Sequence, residues 1–375
     1  MKPSDNFATL AAHLGHFDTS AGLAPQIQTS TTYRRDVDYV PMSEGNVYGR
    51  DHNDTVRHAE AVLAQMEQAK SALIWPSGMA AIAAVFRGLG AGDRVLLQSG
   101  IYWGTTGWVR QFCSEQDIEL REIDFSDLDI VKDHMTFEPT LVFCETPSNP
   151  WLRVTDLTAL RTMFPSSVLV VDSTAATPYL TQPLSMGADL VIHSATKALN
   201  GHSDVLAGVI LTSDLNPRWT KLAQERAMAG AIIGPFEAWL LLRSLRTFAI
   251  RMRTMCDNAL RFAEFAKAHP LVEDVFYPGL KTSPYHALAT RQMNGGYGYL
   301  MSVLVRGDRK MALDVVSRLK VFQRATSLGG VESLVEHRHT IEPHTGIPEN
   351  LLRLSIGIEH IDDLTVDLDQ ALRNA

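Results

Sequence analysis

Between residues 46 and 235 the apolar positions take two forms, stripes spaced three or four apart and short unbroken runs. Residues 55–70 place Val56, Ala59, Val62, Leu63 and Met66 on one face, which predicts an amphipathic helix. Ser77 opens a second helix through Ala80, Val85 and Leu89, stopped by Gly90 and Gly92. Unbroken apolar runs predict strands at 94–98, 140–145, 168–172, 190–193 and 208–212. Strands separated by helical stretches predict an α/β fold with a large, mostly parallel sheet covered on both faces. Residues 235–269 read as one long helix, with Trp239, Leu242, Leu245, Ile250 and Met255 on or near one stripe and Pro270 as its stop. Beyond it, 299–305 and 351–356 alternate as half-buried strands do.

Residues 1–45 carry few periodic runs, and so long an irregular arm needs another surface to order it. The expected organisation is therefore an arm (1–45), a large domain (46–235), and a long linking helix followed by a smaller C-terminal α/β domain (236–375). No repeat, low-complexity stretch or flexible linker interrupts it.

Composition narrows the classes of function. The 375 residues are 45% apolar and 20% charged, as in an ordered globular protein with a large core. A net charge of −8 without any basic block argues against nucleic acid as a partner. Cys113, Cys144 and Cys256 are an odd number without metal-ligand spacing, as expected of reduced thiols in a cytoplasmic protein. Residues 1–6 lack the apolar core of a signal peptide, and no apolar run is long enough to span a bilayer. The segment Glu336-His337-Arg338-His339, with His344 beyond it, supplies no spaced ligand set, so no metal site is expected there and a polar loop or pocket edge is the better reading.

Two strand ends carry candidate chemistry. Residues 189–197 form an apolar run ending in Ser194, Thr196 and Lys197. Burial lowers a lysine's pKa, and a neutral amine can form a Schiff base with an aldehyde cofactor, while the hydroxyls and nearby N–H groups can hold a phosphate. Alone, Lys197 reads more readily as a lysine leaving a sheet edge for water, since lone lysines are common at strand ends. Upstream, another apolar run ends in Asp172, about one βαβ unit earlier. Pyridoxal phosphate (PLP) needs a carboxylate beside its ring nitrogen and a lysine for its aldehyde, and this pair supplies both. Asp172 alone also reads as a helix cap. The tripeptide Ser77-Gly78-Met79 at a helix start is a natural phosphate seat. No Gly-x-Gly-x-x-Gly follows a strand, which argues against a nicotinamide enzyme.

Together with Tyr48-Gly49-Arg50, Glu145-Thr146-Pro147-Ser148-Asn149-Pro150, Gly201-His202-Ser203-Asp204, the run Ser327 to Leu334 and the run Arg353 to Glu359, these motifs resemble the trans-sulfuration, or Cys/Met-metabolism, family of PLP-dependent enzymes over nearly the whole chain. The resemblance implies the aminotransferase-like fold type I and PLP held as a Schiff base on Lys197, which also serves as the base for the α-proton. It implies Asp172 at the ring nitrogen, and Gly78, Met79, Ser194 and Thr196 around the phosphate. Tyr102 matches the tyrosine that stacks on the ring and helps the leaving group. Arg353 matches the clamp on the substrate α-carboxylate, with Ser327 and Asn149 as helpers. Tyr48 and Arg50 match residues that reach the phosphate of the adjacent subunit, so a homo-oligomer, usually a tetramer, is implied.

Three positions depart from the family pattern. Trp103 stands where glycine is common, and is either a flat wall of the site or outward packing. Asp54 stands where proline is common, and Val47 where cystathionine γ-lyases carry a glutamate. Glu336 matches a second glutamate that those lyases place in the distal pocket. The resemblance thus implies a lyase at the γ (or β) carbon of an L-amino acid, of cystathionine γ-lyase type. The alternatives are a γ-replacement synthase, a canavanine lyase with Trp103 and Glu336 around the guanidinium, and, outside catalysis, an idle PLP-binding protein.

Overall fold

A computed structural model describes residues 6–14 and 22–375; most of the segment read for a signal peptide, and part of the arm, lie outside the described residues. Seven strands form the large sheet: β1 (Ser71–Trp75), β2 (Arg94–Gln98), β3 (Glu119–Ile123), β4 (Leu141–Glu145), β5 (Val168–Asp172), β6 (Leu190–Ser194) and β7 (Gly208–Thr212). Their order is β1-β7-β6-β5-β4-β2-β3. All pairs are parallel except those of β7, which runs antiparallel to both β6 and β1. Apolar side chains from the two sheet faces enter separate cores, Val142, Leu169, Val171 and Val191 on one side and Phe143, Val168, Val170 and Ile192 on the other. This is the α/β sheet covered on both faces that continuous apolar strands require.

The edge strands β1 and β3 are additions to the strands read from sequence. In β3 the run Glu-Leu-Arg-Glu-Ile is mostly polar because it pairs only with β2 and stays partly exposed. Local chemistry sets the helix starts: the Asn53 side chain accepts from the N–H groups of Thr55 and Val56, and the Ser77 hydroxyl accepts from Ala80 N–H.

The second sheet contains β8 (Val272–Phe276), β9 (Leu300–Val305), β10 (Gln323–Arg324), β11 (Leu334–His337) and β12 (Leu351–Ser355), in the order β10-β11-β12-β9-β8. Here two expectations are corrected. Strands β9 and β12 are not half-buried, since nearly every position is enclosed. One face packs Met301, Val303, Leu352 and Leu354 into a core of its own. The polar alternates, Ser302, Arg353 and Ser355, turn toward the large sheet rather than to water; Ser302 Oγ donates to Pro150 O at 2.7 Å. Alternation along the strand therefore marks a polar site, not solvent.

The linking helix is also broken, into Pro235–Leu245 and Phe248–Ala268. The Ser244 carbonyl accepts from Thr247 N–H (3.2 Å), Thr247 Oγ1 (3.2 Å) and Arg251 Nη2 (3.1 Å), which marks the end of the first helix at Leu245. Arg251 also donates to Ala198 O and Leu199 O, so the break anchors the loop just after Lys197. Ile250, expected on the apolar stripe, is 59% exposed as a result.

Candidate active site

Lys197 lies in the turn after β6, and its amine donates to Ser327 Oγ at 2.8 Å. Burial, with the nearby Arg353 guanidinium as a second cause, pushes its pKa down to about 8, while Glu336 opposes the shift. Ser327 has φ of 127°, a conformation disfavoured for any residue with a Cβ. It is held at both ends, with its hydroxyl on Lys197 and its carbonyl accepting from Arg353 Nη2 at 2.7 Å. The loop behind it comes very near the lysine: a Cβ on Gly329 (φ +77°) would fall 2.6 Å from Ala198 N. Lys197, Ser327 and Arg353 thus form one cluster, drawn from both sheets.

Asp172 ends β5 and accepts from Thr174 N–H (3.0 Å) and Thr174 Oγ1 (2.6 Å). That is a local turn, not the helix cap its sequence also allowed, because the next helix begins only at Thr177. Thr174 Oγ1 in turn accepts from Ser194 N–H at 2.8 Å, linking β5 to the lysine strand. Burial raises the pKa of the Asp172 carboxyl, and the Thr174 bonds oppose the rise.

Gly78 opens the helix Gly78–Phe86 directly against β6. A Cβ there would lie 2.9 Å from that of Ser194, so only glycine leaves this helix N-terminus bare. Met79 follows, half-buried, with its sulfur 3.9 Å from Thr105 Oγ1. The Thr196 hydroxyl closes a two-way bond with Ala207, donating to its carbonyl (3.2 Å) and accepting from its N–H (2.9 Å), so it braces the loop.

Tyr102 precedes the helix Trp103–Glu115. The Trp103 ring lies 5.8 Å from the Tyr102 ring at 56°, and at 45% exposure Trp103 is not core packing. Asn149 is buried, and its side-chain oxygen has no hydrogen-bond partner among the described residues. A residue quoted only as part of a family motif, and given no role there, ties these two loops together. Glu145, at the end of β4 and in register with Asp172, accepts from Tyr102 N–H (3.1 Å) through one oxygen and from Asn149 N–H (2.6 Å) through the other. Burial and the neighbouring Asp172 push its pKa up to about 8. The signal was available: Leu-Val-Phe-Cys-Glu ends in a carboxylate just as the β5 run does.

Glu336 is buried on β11. It sits opposite Arg353 across β11 and β12, and one of its oxygens receives both Arg353 Nη2 (2.8 Å) and Arg338 Nη1 (2.6 Å). His337 and His339 turn their ring nitrogens to the loop: His337 lies 2.6 Å from Glu349 O and His339 2.9 Å from Ile347 O.

Tyr48 and Arg50 are the residues the chain does not bring to this cluster. Arg50 donates to Ala227 O and lies 5.6 Å from the Tyr48 ring centre. Among the described residues no hydrogen bond or ion pair joins either to Lys197, Asp172 or Ser194.

The donor set fits PLP: a buried lysine of lowered pKa, a buried strand-end carboxylate, and a helix N-terminus kept bare by Gly78. The model of the Cys/Met metabolism PLP-dependent enzymes matches residues 8–373. The chain belongs to this family. It is 40% identical to the cystathionine gamma-synthase of Mycobacterium tuberculosis over 97% of this chain and 96% of that one. It is 38% identical to the cystathionine gamma-lyase of Dictyostelium discoideum over 95% and 94%. The crystal structure of cystathionine gamma synthase from Xanthomonas oryzae pv. oryzae in complex with cystathionine superposes with a TM-score of 0.93 at 35% identity, covering 98% of both chains. It is therefore a PLP-dependent enzyme of trans-sulfuration type, and the idle-binder alternative is set aside.

The lysine's surroundings set a pH dependence. Only the neutral amine reacts with the cofactor aldehyde, so uptake of PLP by the cofactor-free protein should rise with pH, with its midpoint near 8. Arg353→Met removes a cation and should move that midpoint up, and Glu336→Gln removes an anion and should move it down. Stopped-flow absorbance across pH 6–10, at about 0.5-unit steps, checks both signs.

Proposed function

We propose that this enzyme cleaves the bond between the γ-carbon of an L-amino acid and sulfur or oxygen, in the manner of a cystathionine γ-lyase. The observation that carries the reading is the Lys197–Ser327–Arg353 bridge, which sets a base one residue away from a guanidinium suited to a carboxylate. Arg353 takes the substrate α-carboxylate, and Lys197, steered by the Ser327 hydroxyl, removes the proton on the adjacent carbon. Bound PLP supplies the electron sink for that step. Asp172 keeps a proton on the ring nitrogen, and the bare N-terminus at Gly78, with Met79, Ser194 and Thr196, seats the phosphate. Tyr102 carries the proton to the departing group, and Asn149 steadies the carboxylate. Trp103 lines the rim. Water enters once: cystathionine plus water gives cysteine, 2-oxobutanoate and ammonia.

Replacement of the γ-substituent by a thiol is the second reading, favoured by similarity to a cystathionine gamma-synthase across nearly the full length of both chains.

We further propose that two copies at least share each site, and that the full assembly is a tetramer. In one chain Val37, Tyr39 and Met42 are largely exposed, and Arg50 lies away from Lys197; a neighbouring copy accounts for both. The thiols of Cys113, Cys144 and Cys256 are buried and unpaired, which supports a cytoplasmic setting; cell fractionation that recovered it elsewhere would contradict this.

Three experiments test these points. Purified PLP-loaded protein given cystathionine should release cysteine and 2-oxobutanoate; pyruvate with homocysteine would overturn γ-cleavage. If O-succinylhomoserine with cysteine yields cystathionine faster than oxobutanoate, replacement is the main reaction. Arg50→Ala and Lys197→Ala, each inactive alone, should regain about a quarter of wild-type activity when mixed and reassembled, because one site in four is then intact. No recovery, together with a monomeric mass by light scattering, would contradict shared sites.

A further inference from the structure

Glu145 is buried at the end of β4, in register with Asp172 on the neighbouring strand. Its own backbone is pinned, since its N–H donates to Gln98 Oε1 at 2.9 Å. One carboxylate oxygen accepts from Tyr102 N–H, in the loop after β2, and the other from Asn149 N–H, in the loop after β4. The Tyr102 carbonyl accepts from Thr105 N–H (3.0 Å) and Thr106 N–H (3.2 Å) at the start of the helix Trp103–Glu115. The Tyr102 ring lies over Gly104, where a Cβ would come 2.6 Å from it. The direction of the Tyr102 side chain therefore follows the backbone that Glu145 holds. Asn149 Oδ1 is buried without a hydrogen-bond partner among the described residues, so Asn149 too is aimed from its backbone. The two N–H donors favour the ionised carboxyl, against the rise that burial and Asp172 impose. Only that form offers acceptors alone; an amide would place a donor against one of the two N–H groups.

We infer that Glu145 is a positioning residue for the reaction: one carboxylate, holding the N–H groups of Tyr102 and Asn149 together, fixes the residue that carries the proton to the departing group relative to the one that steadies the α-carboxylate. The inference rests on the reading above, which gives Tyr102 and Asn149 those two tasks. In this role Glu145 touches neither substrate nor cofactor and acts through the two loops. A substrate is gripped by Asn149 and met by Tyr102, so the distance between them matters as much as either side chain. Losing one acceptor oxygen frees one loop, and a misplacement of about 1 Å is enough to cost catalysis about a hundredfold.

The test is binding of L-2-aminobutanoate and propylamine to the PLP-loaded enzyme, read from the absorbance of the bound cofactor. The two ligands differ only in the α-carboxylate, so the ratio of their affinities measures how well that carboxylate is held. Titrations run above a pH of about 8, where the Glu145 carboxyl is ionised. Wild type should favour 2-aminobutanoate about a hundredfold or more. Glu145→Gln should cut that ratio about tenfold, with propylamine affinity unchanged within about twofold. Glu145→Asp keeps the charge but is one methylene too short to span both loops; it should cut the ratio likewise, and it carries the test if Glu145→Gln fails to fold. A purely structural carboxylate would weaken both ligands alike and leave the ratio in place. Asn149→Ala should also cut the ratio, and adding Glu145→Gln to it should lower it by no more than about twofold further. Glu145→Gln should alter the visible circular dichroism of the bound cofactor in the wild-type background and not beside Tyr102→Leu. A ratio unchanged in the Glu145 variants, full additivity with Asn149→Ala, or an unaltered cofactor signal would overturn the inference alone. A wild type that does not favour 2-aminobutanoate, or an Asn149→Ala that keeps the ratio, would overturn the inference together with the role of Asn149.

Discussion

The structure depends on keeping one lysine amine out of water yet in contact with its partners. Lys197 arrives in the turn after β6 of the large sheet, Arg353 arrives on β12 of the second, and Ser327 bonds both. Desolvation and the adjacent guanidinium disfavour the charged amine. Other features serve this meeting point. Arg251 breaks the linking helix to hold the carbonyls of Ala198 and Leu199, and Gly329 lets the Ser327 loop close on Ala198 without collision. If the two sheets separated, Lys197 would lose Ser327 and Arg353 together.

Around the amine the charges are arranged so that none is buried alone. Asp172 has the Thr174 hydroxyl and N–H, Glu145 has two backbone N–H groups, and Glu336 and Glu342 have the two arginines. Each carboxylate end of β4 and β5 sits where parallel strands stop and loops begin, the usual location of a ligand site in such sheets. Asn149 Oδ1 and the Nε of Arg353 are among the buried polar atoms with no hydrogen-bond partner among the described residues. Unfilled hydrogen bonding in so dry a place is costly, and a ligand that fills it gains accordingly.

What could be read from the sequence follows from how local each signal is. A continuous apolar run ending in Asp172 or Lys197 is a local pattern, and β5 and β6 appear where those runs lie. Ser77 and Gly78 likewise declare a helix start within three residues. Non-local causes were hidden. Nothing near Ser244 announces that Arg251 will take its carbonyl, so two helices read as one. Alternation in β12 is the same whether Arg353 faces water or a second sheet, and only the tertiary arrangement distinguishes them. Arg338, two residues beyond Glu336, gives no sign in sequence that it folds back upon that carboxylate. Tyr48 and Arg50 were recognised through family motifs rather than local physics, and within a single chain they stand apart from the cluster.

The central claim is that Lys197 is the residue whose chemistry the rest of the fold arranges. Borohydride reduction of the PLP-loaded protein, followed by peptide mass spectrometry, tests it most directly. The account predicts one pyridoxyl-phosphate adduct per chain, on the peptide carrying Lys197, and none in Lys197→Ala. An adduct on another lysine, such as Lys70 or Lys320, with Lys197 unmodified, would contradict it.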